Sequence, residues 1–185
     1  VTTVLKVLSE DAIQAWRRRV GEDVANKIGV RAANRGTAVH SIIERYLDNN
    51  VEYDKDVMPD VLSTFKDVQP ILDESISEIL GLEAPLYSKH LKLAGRVDCV
   101  GVFNDKLSII DFKTSRKLKK KEWIHNYFAQ ASAYAIMFEE RTGIPVPQLV
   151  ILIAVDNEKP QVFIEKRDDW TDLLFKAKQI YESRV

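Results

Sequence analysis

Cysteine is almost missing from this chain: Cys99 is the only one in 185 residues, so no internal disulfide, cysteine-ligated zinc or iron–sulfur cluster can form. The fold is therefore expected to rest on its apolar core in a reducing compartment. Long hydrophobic runs are lacking too. None approaches the roughly 20 residues needed to cross a bilayer, and no charged-then-apolar leader opens the chain, so no membrane partner is expected. The first residue is Val1 rather than Met, which reads as trimming or processing and leaves an earlier organellar leader open. Otherwise the expected compartment is the cytoplasm, or the host-cell cytoplasm for a viral protein. No glycine-rich loop of the P-loop kind is present, so no nucleotide cofactor is expected. Nor is there an excess of one charge: 27 Lys and Arg stand against 28 Asp and Glu, a net charge of -1. Any polyanion would have to be met by a local patch on a neutral body.

What is present suits one sizeable core. Hydrophobic residues make up 45% of the chain, and no linker, repeat or low-complexity tract divides it, so a single domain over residues 1–185 is expected. Its first part, 1–82, reads as helical. Ser9 or Asp11 caps a segment through Arg19, Val24 to Tyr46 has helical spacing interrupted at Gly29 and Gly36, and a third helix runs from Pro59 to Leu80. The remainder, 83–185, reads as a sheet-and-helix core. Strands are expected over Leu86–Leu93, Arg96–Phe103, Leu107–Phe112, Leu149–Val155 and Gln161–Glu165, with helices over Lys121–Thr142 and Asp168–Tyr181. The fold class is α/β or α+β, a mixed sheet of about five strands flanked by helices.

One constellation carries chemistry. Asn104 and Asp105 suit a two-residue hairpin loop, and opposed residues then sum to 209, which sets Asp98 across from Asp111. Directly opposed side chains have Cβ atoms about 4.5–5.5 Å apart, and Lys113 shares the face. Two carboxylates about 5 Å apart repel by roughly 3 kcal/mol at an effective dielectric near 20, so a positive group must offset them. Hard oxygen ligands suit Mg²⁺ or Mn²⁺ better than zinc. Lys113 beside such a cation is suited to orient or help deprotonate an attacking water. The plain alternative is a neutral surface cluster of Arg96, Asp98, Asp111 and Lys113. Against it, Asp111 ends the apolar run Leu107-Ser108-Ile109-Ile110, where a carboxylate is costly without a task or a partner.

The segments Gly95-Arg96-Val97-Asp98 and Ile110-Asp111-Phe112-Lys113-Thr114-Ser115, then Gln130 and Tyr134 in one helix, resemble the RecB-type branch of the PD-(D/E)XK nucleases. The likeness extends to Trp16, Arg35-Gly36-Thr37, His40 with Glu44, and Glu83, and so covers nearly the whole chain. It implies a restriction-endonuclease-like core. It also implies that Asp98, Asp111 and the Phe112 carbonyl ligate a divalent metal, with His40 an extra ligand and Lys113 activating water. Gln130 and Tyr134 would border the site and touch the DNA backbone, and Glu83 would support the site from the entry to the sheet. Arg35, Arg96, Thr114 and Ser115 belong to the same motifs and are expected at the DNA. His40 and Glu44 share a helix face whether or not they bind anything, and Tyr134 also fits an apolar stripe with Phe128, Ala131, Ala135 and Phe138.

The run Arg116, Lys117, Lys119, Lys120 and Lys121 precedes Trp123, His125 and Tyr127. Cations interleaved with rings suit single-stranded nucleic acid, although such runs also occur as solvated loops. Lys117, Lys119, Lys120 and Tyr127 are the expected contacts. The leading expectation is a DNA exonuclease acting on single strands or ends in replication, recombination or repair, and the likeness admits a phage origin. The alternatives are a structure- or sequence-specific endonuclease of the same fold, or a non-catalytic nucleic-acid-binding module.

Overall fold

A computed structural model describes all of residues 1–185. The chain opens with α1 (Thr2–Leu5) and a 3₁₀ turn, Lys6–Leu8, followed by α2 (Glu10–Val20), α3 (Glu22–Leu47) and α4 (Pro59–Ser75). Three strands come next, β1 (Ile76–Ser88), β2 (Leu93–Phe103) and β3 (Lys106–Ser115). Helix α5 (His125–Thr142) leads to β4 (Gln148–Val155) and β5 (Gln161–Lys166), and α6 (Thr171–Glu182) closes the chain. The five strands lie in sequence order; β3 and β4 are parallel and every other neighbouring pair is antiparallel. This mixed, helix-flanked sheet is the α+β architecture expected.

Helices cover both faces. Over one face, α1, α5 and α6 close on Val100, Ile109, Ile151 and Ile153 within a cluster of 25 buried residues. Over the other, α3 and α4 close on Cys99, Ile110, Phe112 and Leu152 within a cluster of 14. Alternate residues of β4 join opposite clusters, which explains why that strand is an unbroken apolar run buried throughout.

Several boundaries differ from those expected. Helix α3 is continuous for 26 residues, because Gly36 serves contact with the sheet rather than a break: a Cβ there would stand 3.4 Å from Thr114 Oγ1. Helix α4 stops at Ser75 and β1 begins at Ile76, since the run that mimics helical spacing is claimed by pairing with β2 from Ile76↔Phe103 onward. The close approach needs Gly101, where a Cβ would lie 2.6 Å from the Glu78 carbonyl oxygen. Ser9 precedes α2 but makes no capping bond; its hydroxyl donates to the Lys6 carbonyl at 3.5 Å. The segment expected as one helix from Lys121 opens instead as a 3₁₀ turn before α5 starts at His125. The Asn104-Asp105 hairpin does form: both residues take positive φ, 49° and 65°, and the pairs Phe103↔Lys106 to Cys99↔Ile110 keep the expected register.

Candidate active site

The β2–β3 ladder ends at Cys99↔Ile110, one pair short of the two aspartates, while β3 stays paired with β4 as far as Ser115↔Val155. Beyond Ile110, β3 is thus paired on one side only, and the main-chain groups of Phe112 need other partners. The Phe112 N–H donates to Asp98 Oδ2 at 2.9 Å, and its carbonyl lies 2.5 Å from His40 Nε2. The directly opposed aspartate pair is therefore replaced by an open wedge that Asp98 bridges. Asp98 and Asp111 remain electrostatic neighbours across it. Burial first, and then the Asp111 charge, push the Asp98 carboxyl up to about 9.

Helix α3 brings His40 to the wedge from one side, with Nδ1 3.8 Å from Asp98 Oδ1. Strand β1 brings Glu83 from the other, because the pairs Leu82↔Cys99 and Ala84↔Val97 set it across from Asp98. Glu83 has φ +47°, a left-handed conformation uncommon outside glycine and here taken within a strand rather than in a turn. Burial, then the Glu44 charge, raise its carboxyl pKa. One ligand atom from each of His40, Glu83 and Asp98 lies within 4.8 Å of the others.

Asp111 is 4% exposed, and its Oδ2 has no hydrogen bond although Lys113 Nζ stands 3.0 Å away. Lys113 donates instead to Gln130 Oε1 of α5 at 3.0 Å, and Gln130 Nε2 is 3.5 Å from the Tyr134 hydroxyl. Burial acts to lower the Lys113 pKa, but the charges of Asp111 and Asp98 outweigh it and hold the proton above the usual lysine range. Tyr134 is buried against Gly95, where a Cβ would come 2.9 Å from its ring.

The residues present suit a divalent cation. A buried carboxylate oxygen short of hydrogen bonds, a neighbouring carboxyl that resists ionisation, and a carbonyl turned out of the ladder form a hard-oxygen set in which Lys113 is the one nearby cation, on Asp111. His40 adds a nitrogen. A carbonyl only accepts, so Nε2 carries the proton in its contact with Phe112, and ligation through that atom needs the other tautomer. Glu83 is the residue that sequence reasoning left out of the ligand set. Its strand was expected to begin at Leu86, which hid its position across from Asp98.

The residues expected at DNA divide by what already engages them. Arg35 is already engaged: its guanidinium binds Asp156 at 2.7 Å, Asp60 at 3.1 Å and Thr64 Oγ1 at 2.6 Å, bracing α3 against α4 and the end of β4. Arg96 is exposed and near enough for its charge to act on Glu83. Thr114 faces Gly36, and the Ser115 hydroxyl donates to the Lys117 carbonyl at 2.5 Å, shaping the basic loop. Lys119 is held to β5 through two main-chain bonds with the Gln161 amide, at 2.8 and 2.9 Å. Lys120 stands 5.3 Å over the Trp123 ring, Lys121 pairs with Glu165, and Lys113 lies 4.7 Å from the Tyr127 ring centre.

Comparison with known proteins accords with this geometry. Two curated proteins are similar, both named mitochondrial genome maintenance exonuclease 1. The Mus musculus protein is 29% identical over 111 residues, 58% of this chain and 32% of its own length. The Xenopus tropicalis protein is 27% identical over 160 residues, 80% of this chain and 44% of its own. The chain thus spans less than half the length of either. A solved Eubacterium rectale structure, described as that of a candidate exonuclease, shares the fold with a TM-score of 0.54 at 13% identity, covering 81% of this chain and 65% of its own. The PD-(D/E)XK nuclease superfamily profile matches residues 51–183, more than half the chain and all of the sheet, and the protein belongs to that superfamily.

Proposed function

We propose that this protein is a divalent-metal-dependent DNA exonuclease acting on single strands or ends, in replication, recombination or repair. The observation that carries the reading is the wedge between β2 and β3, where Asp98 takes the Phe112 N–H and clusters with His40 and Glu83, while the buried Asp111 stands beside Lys113. Asp98, Asp111 and the Phe112 carbonyl, with His40 and Glu83 next to them, would hold Mg²⁺ or Mn²⁺. When bound, such an ion supplies Lewis acidity at a phosphate and eases deprotonation of water. Lys113, kept charged chiefly by Asp111, presents N–H donors that orient the attacking water and the phosphate oxygens. Gln130 fixes the lysine, and Tyr134 buttresses Gln130. The names of the curated relatives support exonuclease action.

The test incubates labelled linear and circular single-stranded DNA and duplex DNA with Mg²⁺, Mn²⁺ or chelator. Linear single strands should be degraded with either metal, circles should survive, and chelator or Asp111→Ala should abolish cleavage while leaving DNA binding largely intact. Loss of circles at the same rate would make the protein an endonuclease. Cleavage by Asp111→Ala would remove the proposed centre.

A further inference from the structure

Two hollows share Tyr127 as a wall, one lined by Lys113 and the other by its neighbour Thr114. The larger, about 590 Å³, lies between α3 and the loop after β3 and is lined by Ala32, Ser115, Arg116, Lys117 and Lys119. Its cations suit a sugar-phosphate backbone. The smaller, about 190 Å³, lies between α1, the turn after it and the start of α5, lined by Leu5, Lys6, Ser9, Asn126 and Gln130 as well as Tyr127. Its character differs: one apolar side chain, one aromatic ring, two amides that both donate and accept, and two cations, the exposed Lys6 and the half-buried Lys113. The first turn of α5 contains no acid that would repel a nucleotide. A volume of 190 Å³ corresponds to roughly six waters at about 30 Å³ each, room for one base and too little for a stack.

We propose that the smaller hollow seats a single nucleobase, that of the nucleotide next to the scissile phosphate, with Tyr127 as its stacking wall and Asn126 reading its edge. The proposal rests on the nuclease reading above. The strand lies with its phosphates along Lys117 and Lys119, passes Lys113, and turns one base into the hollow. Tyr127 separates the two environments, so this base is unstacked from its neighbour and held by protein instead.

The test scans a single abasic nucleotide along a labelled linear single strand cut by the full chain with Mn²⁺. The expected result is a minimum in cleavage rate at one position beside the cut, roughly five- to hundredfold below its neighbours. Tyr127→Leu and Asn126→Ala, checked as folded by thermal melting, should cut intact DNA more slowly and lose that minimum. Lys117→Ala should weaken binding equally at every abasic position. A second readout needs no turnover: 2-aminopurine placed at successive positions in an oligonucleotide bound in chelator should be quenched at one position by the wild type and not by Tyr127→Leu. Equal abasic sensitivity at all positions, or a minimum that persists in both variants, overturns the proposal. If no DNA is cut at all, the nuclease reading falls, and the 2-aminopurine measurement still decides the pocket.

Discussion

Asp98 links the chemistry of the site to its stability. Its carboxyl, raised from 3.8 to about 9 by burial and by Asp111, holds a proton in the folded chain that the unfolded chain releases. Stability from that difference is full below the unfolded value and is lost as pH rises toward the folded one. Metal-free protein should therefore melt at progressively lower temperature between about pH 4 and pH 9. The substitution Asp98→Asn keeps an oxygen for the Phe112 N–H and cannot ionise. In chelator at pH 8 this variant should melt above the wild type, by roughly 2–4 °C for each kcal/mol that keeping Asp98 protonated costs the wild type. Added Mn²⁺ should raise only the wild type. Melting curves across pH with and without metal check this, and an Asp98→Asn protein less stable than wild type throughout would contradict it. Gly95 acts at the same scale through space alone: Gly95→Ala would press on the Tyr134 ring, displace Gln130 from Lys113, and lower kcat roughly tenfold with little change in KM. Steady-state kinetics separates the two constants.

At the scale of elements, α3 must be held before His40 can reach β3. Arg35 does this, five residues upstream, by tying the helix to Asp60 and Thr64 of α4 and to Asp156 past β4. Losing hydrogen bonds to charged groups costs about 1.5–3 kcal/mol, so Arg35→Ala should lower the melting temperature by roughly 3–12 °C. Activity should fall with it. A phosphate contact would predict something different: an unchanged melt and a shallower salt dependence of DNA binding. Measuring both decides between brace and contact. The glycine that sequence spacing marks as an interruption in α3 is, in the fold, what lets the helix approach Thr114.

For the whole molecule, a net charge of -1 leaves attraction for DNA to the loop after β3. Single-stranded binding should then weaken with salt at a slope set by few phosphates. Removing Lys117 and Lys119 together should reduce that slope by up to about 0.7 for each phosphate no longer neutralised, with little effect on melting. Fluorescence anisotropy at several salt concentrations reads the slope; an unchanged slope would place the backbone elsewhere.

The hairpin register and the strands after Leu93 were legible from local pattern, because a two-residue turn and alternating apolar residues constrain neighbours in the chain, whereas the expected facing of Asp98 and Asp111 gave way to a ladder that ends one pair earlier. The start of β1, and with it the place of Glu83, was not. Ile76 to Leu82 carries both helical and strand spacing, and pairing with a strand distant in sequence decided between them. Likewise the chain supplies Arg35 a charge and a motif, but only packing sets Asp60, Thr64 and Asp156 around it. Sequence alone determined that Asp98, Asp111 and Lys113 flank one hairpin turn, while the fold brought His40 and Glu83 to them from α3 and β1. Tertiary structure decided that the ladder opens there, because β3 keeps its pairing with β4 and its packing under helices on both faces while it parts from β2.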